Sequence, residues 1–400
     1  MAVNQGYFAF EAQPSNAAHK DIVLAVDFNF YGTRMVTASS DHKLKVFDRK
    51  DDNWTLIDTW SAHYAEITDV KWNGPFMGEV LGSVGEDGTF RLWQENATEI
   101  PQGGRRFSCI YEIKSSTNVP FMSLDFKNIN RDTWVALATR DGFLTVLEPV
   151  DHENLTNWHS IHADYLIGTP DREDESSFRV AFHKEKLPSW TAIRAGLDRK
   201  ALSLAFAAMN SVIVLRAVKD ANSSYRFYQA AELTGARSLV RDVAWANGSM
   251  RGWDVIATAS KDGCVRVYEL RPEGSGTGAE SLPTTNLPEI KEPTSDQTRG
   301  GRNAPSGIGA GLASGSNPKG PVREAGISHG SIKETATMTE ELNLHQGAMW
   351  RVAFSQGGEV LVATGDDGAV TTWKRAMSGR WLEYAEVNNW ERYGAYDTHR

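Results

Sequence analysis

The sequence predicts an all-β protein, a six-bladed β-propeller, and three observations predict it. The first is recurrence: around Asp87 the chain reads Gly82-Ser-Val-Gly-Glu-Asp-Gly-Thr-Phe-Arg-Leu-Trp93, and versions of that phrase return at Asp41, Asp141, Asp262 and Asp367, with a looser copy at Met209-Asn210. The second is period: the copies come every roughly 40 to 50 residues, each flanked by short apolar segments that alternate, as four-stranded blades require. The third is the count. Six sets of four strands account for everything outside the tails and one polar insert, so no stretch is left for a seventh blade.

Each Asp-Gly pair is expected to close a hairpin, because Asp-Gly supplies the positive φ of a tight two-residue turn. Residues 1–18 form an N-terminal tail with one apolar phrase, Tyr7-Phe8-Ala9-Phe10. The propeller spans residues 19–390, and 391–400 is a polar C-terminal tail. Blade one takes residues 23–28, 34–39, 43–48 and 55–60, and blade two 67–72, 80–84, 90–94 and 107–113. Blade three takes 121–126, 134–139, 144–148 and a fourth strand near 158–161, before an acidic loop at 171–175. Blade four takes 178–183, a loop around Leu187-Pro188, then 202–207, 212–217 and 226–233. Blade five takes 240–245, 255–260 and 265–270, its fourth strand delayed to about 337–344; blade six takes 349–354, 360–364, 370–374 and 381–387.

The delay in blade five has a compositional cause. Residues 271–335 hold 12 Gly, 7 Pro and 8 Ser, no aromatic residue, and seven basic against seven acidic groups. Such a segment buries too little apolar surface to offset its ordering entropy, so it is expected as a disordered insertion. Removing it returns the Asp262 to Asp367 spacing to the common period, and long surface insertions cost little closure entropy.

The chain has 400 residues, 40% of them hydrophobic, with 13 Trp, 16 Phe and 11 Tyr, enough for a large core. Its formal charge of −9, with no Lys/Arg cluster, argues against direct nucleic-acid binding. Two cysteines, Cys109 and Cys264, make no disulfide or zinc framework and fit a reducing compartment. The start, Met-Ala-Val-Asn-Gln-Gly-Tyr, carries no secretion signal, so Asn-x-Ser/Thr triplets at Asn96, Asn154, Asn222 and Asn247 are chance matches. The apolar run 201–218 is long enough to suggest a membrane span, but Ser203, Asn210 and Ser211 break it and its halves fit two core strands. No membrane insertion is expected.

No catalytic set emerges, and the protein reads as a non-enzyme without cofactor. Gly307-Ile-Gly309-Ala-Gly311 lacks the strand, the helix and the third glycine of a dinucleotide loop. His159 and His162 lack a third metal ligand at a recognisable spacing. The acidic loop 171–175 reads as a solvated loop, with docking of a basic partner surface as the other reading. His63 precedes Asp87 by 24 residues and Trp93 by 30, and His345 precedes Asp367 by 22 and Trp373 by 28. A pairing that occurs twice suits a buried scaffold network better than one acid-base site.

These residues also carry a resemblance. His19-Lys-Asp-Ile-Val-Leu-Ala-Val-Asp27 with Phe30-Tyr-Gly32, Thr37-Ala-Ser-Ser-Asp41 and Lys45-Val-Phe47, together with Trp350-Arg-Val-Ala-Phe354, Gly365-Asp-Asp-Gly368 and Thr372-Trp-Lys374, resemble the first and last blades of the Sec-thirteen family of WD-repeat proteins. The long polar insert before the last blade is similar to fungal members of the Seh-one branch. Phe47, Leu147 and Tyr268 depart from the Trp that often ends a repeat, and Met209-Asn210 departs at the turn.

The resemblance implies an open propeller completed in trans: a partner segment enters between the first and last blades as a seventh, by β-augmentation and burial of two blade faces. The candidate contacts are Val26, Phe28, Val36 and Val46 in blade one and Val352, Phe354, Leu361 and Val370 in blade six, with internal core as the other reading, since alternation does not tell which side faces the gap. Residues 7–10 are the one leftover segment that could close the ring instead. It further implies a scaffold subunit of the Y-shaped nuclear pore coat complex at the nuclear envelope, bound to a helical-solenoid nucleoporin and other subunits, supporting nucleocytoplasmic transport. A role in the SEA-type nutrient-signalling complex at the vacuolar or lysosomal surface is also implied. The alternative is the Sec-thirteen-like subunit of the vesicle coat at the endoplasmic reticulum. A propeller enzyme or peptide reader would instead need polar or charged residues clustered at one channel mouth.

Overall fold

The turn of the recurring phrase sets the blade. Gly88 N bonds Gly85 O at 3.0 Å and Gly88 lies at φ 73°, while Asp87 Oδ1 accepts the Thr89 amide at 3.1 Å. This is a three-residue loop, Glu86 to Gly88, with a left-handed residue at its end, not the two-residue turn expected, and Asp is needed there as an acceptor for the amide two residues on. Asp41, Asp262 and Asp367 cap Lys43, Cys264 and Ala369 in the same way. The divergent copy holds the two-residue turn instead: Ala208 pairs with Ser211 across Met209-Asn210, with Met209 at φ 58°.

A computed structural model describes residues 18–51, 53–171, 174–220, 222–248, 252–273, 330–343 and 347–387. Among them, six antiparallel sheets of four strands follow one another. Blade one is β1 (Val23–Phe28), β2 (Arg34–Ser39), β3 (Lys43–Lys50) and β4 (Asn53–Ser61). Blade two is β5 (Ile67–Trp72), β6 (Val80–Gly85), β7 (Thr89–Glu95) and β8 (Phe107–Lys114). Blade three is β9 (Phe121–Ile129), β10 (Asp132–Thr139), β11 (Phe143–Asp151) and β12 (Asn154–Tyr165), the last much longer than expected. Blade four is β13 (Phe178–Phe182), β14 (Leu202–Ala208), β15 (Ser211–Lys219) and β16 (Tyr225–Leu233). Blade five is β17 (Val240–Trp245), β18 (Asp254–Ser260), β19 (Val265–Pro272) and β20 (Glu334–Leu342). Blade six is β21 (Met349–Phe354), β22 (Val360–Gly365), β23 (Val370–Arg375) and β24 (Trp381–Val387).

Residues 201–218 therefore hold core strands β14 and β15, and no helix among the described residues is long and apolar enough to cross a membrane. Where a loop was expected after Leu187-Pro188, a short helix α1 (Trp190–Arg194) forms. Its Ala192 packs with Leu197, Ala201, Val218 and Ile332, and its Thr191 amide bonds Gly252 O at 2.8 Å, which fixes the loop to blade five.

The ladder of blade five reaches into the expected insertion: Arg271 pairs with Thr335, Pro272 with Glu334, and Glu273 N bonds Lys333 O at 3.0 Å. Residues 274–329, the phrase at residues 7–10, His345 and the C-terminal tail lie outside the described residues.

Candidate functional site

Each blade is built to lean on the next. The inner strand of one blade packs on the inner strand of its neighbour, from β1 on β5 round to β17 on β21, and the second strand of each blade covers the following inner strand. At four junctions an aspartate also accepts a backbone amide of the next blade: Asp27 from Trp72 at 2.7 Å, Asp69 from Leu124 at 3.1 Å, Asp125 from Phe182 at 2.7 Å and Asp242 from Val352 at 3.0 Å. These aspartates stand one or three residues before an aromatic of the inner strand, Phe28, Trp72, Phe126 and Trp245. In blade four those places hold Ala181 and Arg179 and in blade six Ala353 and Arg351, so among the described residues neither inner strand offers such a carboxylate to the next blade.

The seam between blades six and one differs from the junction between blades four and five, which packs closely without such an aspartate. Among the described residues β21 and β22 have no comparable packing against β1, and the seam is crossed by Arg351 Nη2 donating to Leu24 O at 3.0 Å. Both blades line the central channel, a cavity of about 660 Å³. Its charges alternate. Lys71 lies 3.7 Å from Asp27, Lys184 bonds Asp125, and burial together with neighbouring Arg351 draws Arg179 down to about 10.

Register decides which face of each blade meets the seam, since residues directly opposite in an antiparallel pair share a face. In blade one, the rows Ala25–Ala38–Leu44 and Val36–Val46 pack with Ile67, Val70 and Trp72 of blade two. The opposite face carries Val26 with Thr37, and Phe28 with Met35 and Phe47. Val26 is 44% and Phe28 50% exposed, whereas Val36 and Val46 are fully buried. In blade six, Val352–Ala363 and Phe354–Leu361–Trp373 pack against Val255, Ala257, Val265 and Val267 of blade five. The seam face carries Ala353–Val362–Thr372 and Thr364–Val370.

Of the eight candidate contacts, the seam faces thus present Val26, Phe28 and Val370. Val36, Val46, Val352, Phe354 and Leu361 belong to the cores between neighbouring blades, a correction that follows from register. Val362 and Thr372 lie on the seam and were missed, because hydrophobicity alone favours the buried side. A further contrast singles out blade six. Along β6, β14 and β18 every residue is buried, as strands covered on both sides must be, but β22 alternates from Val360 to Thr364 between half-buried and buried. Among the described residues, nothing covers one of its two faces as the other is covered.

The His63 network is where the spacing put it. His63 Nδ1 meets Asp87 Oδ1 at 3.0 Å, His63 Nε2 meets Ser83 Oγ at 2.8 Å, and Trp93 Nε1 donates to Ser83 Oγ at 2.9 Å. Burial pushes His63 down, opposed by the Asp87 hydrogen bond. Burial would raise Asp87, but bonds from His63, Thr89 and the Tyr64 amide hold it well below the usual carboxylate range. Every member is committed to another, which leaves nothing for substrate. Ser83 was not anticipated. Nor was a second set, His19 with Asp41 at 3.0 Å and Thr37 Oγ1 at 2.8 Å, although His19 precedes Asp41 by the 22 residues that separate His345 from Asp367. Of the His345 set, Asp367 caps its turn and Trp373 is buried. His159 and His162 do not converge: His159 lies 3.8 Å from Glu148 and His162 stacks on Phe227 at 4.6 Å. In the acidic loop, Glu175 pairs with Arg241 and Lys261 of this chain.

Comparison with known proteins agrees with this architecture. A family model described as WD domain, G-beta repeat matches residues 13–48, 54–94, 227–269 and 336–374, the stretches that carry the turns at Asp41, Asp87, Asp262 and Asp367. The chain is 29% identical to Nucleoporin SEH1 of Chaetomium thermophilum, with 92% of this chain and 93% of that protein covered. It is 27% identical to Nucleoporin SEH1 of Saccharomyces cerevisiae (92% and 96% covered) and 26% identical to Nucleoporin SEH1 of Homo sapiens (93% and 87%).

Proposed function

Because this chain is a WD-repeat β-propeller similar over 92% of its length to SEH1 nucleoporins, we propose that it is a scaffold subunit of the nuclear pore, not an enzyme. In this reading it belongs to the Y-shaped coat complex at the nuclear envelope and serves nucleocytoplasmic transport. Its partner is a helical-solenoid nucleoporin that inserts a β segment into the seam between blades six and one. The same surface would serve a SEA-type complex at the vacuolar or lysosomal surface.

The observation that carries this reading is the one-sided burial of β22, with Val362 half-buried opposite Leu361 in the core. An added blade would cover Val362, Thr372 and Val370 on one side and Val26 and Phe28 on the other. Burying such side chains contributes on the order of 25 cal/mol per Å² of apolar area. The entering strand also satisfies its own backbone by pairing within the inserted blade.

Affinity purification from the native cell tests the assignment. Recovery of nuclear-pore solenoid proteins, lost on Val362→Glu, supports it; recovery of vesicle-coat subunits alone would move the protein to the coat at the endoplasmic reticulum.

A further inference from the structure

The end of the ring that carries the β1–β2, β5–β6 and β13–β14 connections has a feature the seam does not explain. Its mouth is a cavity of about 740 Å³. Phe30 and Tyr31 of blade one and Phe76 of blade two stand on its rim, each more than half exposed, and Phe30 and Tyr31 contact edge to face at 5.3 Å. Large aromatics spend little conformational entropy on binding and are the usual anchors of an interface.

The opposite side of the mouth is cationic. Of the charged residues lining it, Asp27 is held by Lys71 and the Trp72 amide, and Asp125 by Lys184 and the Phe182 amide. Lys186 of blade four is exposed and has no carboxylate partner among the described residues, so the mouth carries uncompensated positive charge on a chain whose net charge is −9.

We propose that this mouth is a second docking site, for an extended segment of a partner protein that presents an aromatic or large aliphatic anchor and an acidic residue. The anchor rests on Phe30, Tyr31 and Phe76, and the carboxylate pairs with Lys186. The mouth adjoins the seam, since Phe28 lines both, but the anchors that define it, Phe76 and Lys186, lie on blades two and four and away from Val362.

The test selects random linear display peptides on the full-length chain and measures the recovered peptide by fluorescence anisotropy. Enrichment of an aromatic or aliphatic residue with a nearby Glu or Asp is expected. Phe76→Ser and Lys186→Glu should each weaken binding about tenfold or more, and changing the peptide's acidic residue to Lys should restore binding to the Lys186→Glu chain. Val362→Glu, at the seam, should leave peptide affinity unchanged while removing the solenoid, so the two sites fail independently. Peptides without that pattern, or binding indifferent to Phe76 and Lys186, would overturn the proposal. So would replacement of peptide binding by sedimentation with phosphatidylserine vesicles, or by self-association that Phe76→Ser abolishes.

Discussion

Val26 and Val36 lie on paired strands of one sheet and meet opposite surroundings. Val36→Ala opens space in the core between blades one and two and should cost about 1–3 kcal/mol of stability. Val26→Ala should change the free chain by less than about 0.5 kcal/mol, and urea denaturation of both separates core from seam. Ser83 is a sharper case, since its hydroxyl serves both His63 and Trp93. Ser83→Ala leaves two buried nitrogens unpaired and should cost about 1–3 kcal/mol. Acid stability follows from His183, which burial draws down to about 3 while Asp254, 3.6 Å away, pulls it back up. Its folded value lies below the ordinary 6.5, so the folded chain keeps it neutral while the unfolded chain takes a proton. Stability present above pH 6.5 is therefore lost as pH falls towards 3, and His183→Gln should flatten that loss in denaturation measured across this range.

At the scale of the strand, β22 gives the clearest contrast. Leu361→Glu places a charge among Val255, Ala257 and Trp373 and should prevent stable folding; Val362→Glu, its neighbour on the other face, should leave a folded propeller that no longer binds the solenoid. Circular dichroism with a pull-down distinguishes them. The sequence made strand positions legible to within a few residues, because alternation and turn residues are local signals. It left the faces open. Val352 and Leu361 are as apolar as any interface residue, and only the pairing of β21 with β22 and the packing on blade five show that they point inward. The missed junction aspartates have a signal in the sequence, a carboxylate one or three residues before an aromatic of the inner strand, but it is absent before Phe182 as well as before Phe354, so it does not single out the last blade. Helix α1 had little signal: five residues after Pro188 are too few for periodicity, and contacts with Gly252 hold them.

The whole molecule is a ring whose closure is not shared evenly among its junctions. Blade five shows that a long insertion need not disturb it: the β19–β20 ladder is closed by Glu273 with Lys333, and Glu334 is fixed by Arg216, which also bonds Asp254. Joining Glu273 to Gly330 through a short Gly-Ser linker should therefore change unfolding free energy by less than about 1 kcal/mol, as calorimetry or urea melts would report. Blade number and order could be seen in the sequence because repetition multiplies a weak local signal six times. That the seam between blades six and one is the unevenly packed junction among the described residues could be inferred from the sequence only by counting strands.

Whether another polypeptide completes that ring is tested most directly by a structure of the chain bound to the solenoid nucleoporin proposed as its partner. The expected result is a partner strand lying between β1 and β22, covering Val26, Phe28, Val362 and Val370. A seam filled by residues 7–10 of the chain itself, with the partner bound elsewhere, would contradict it.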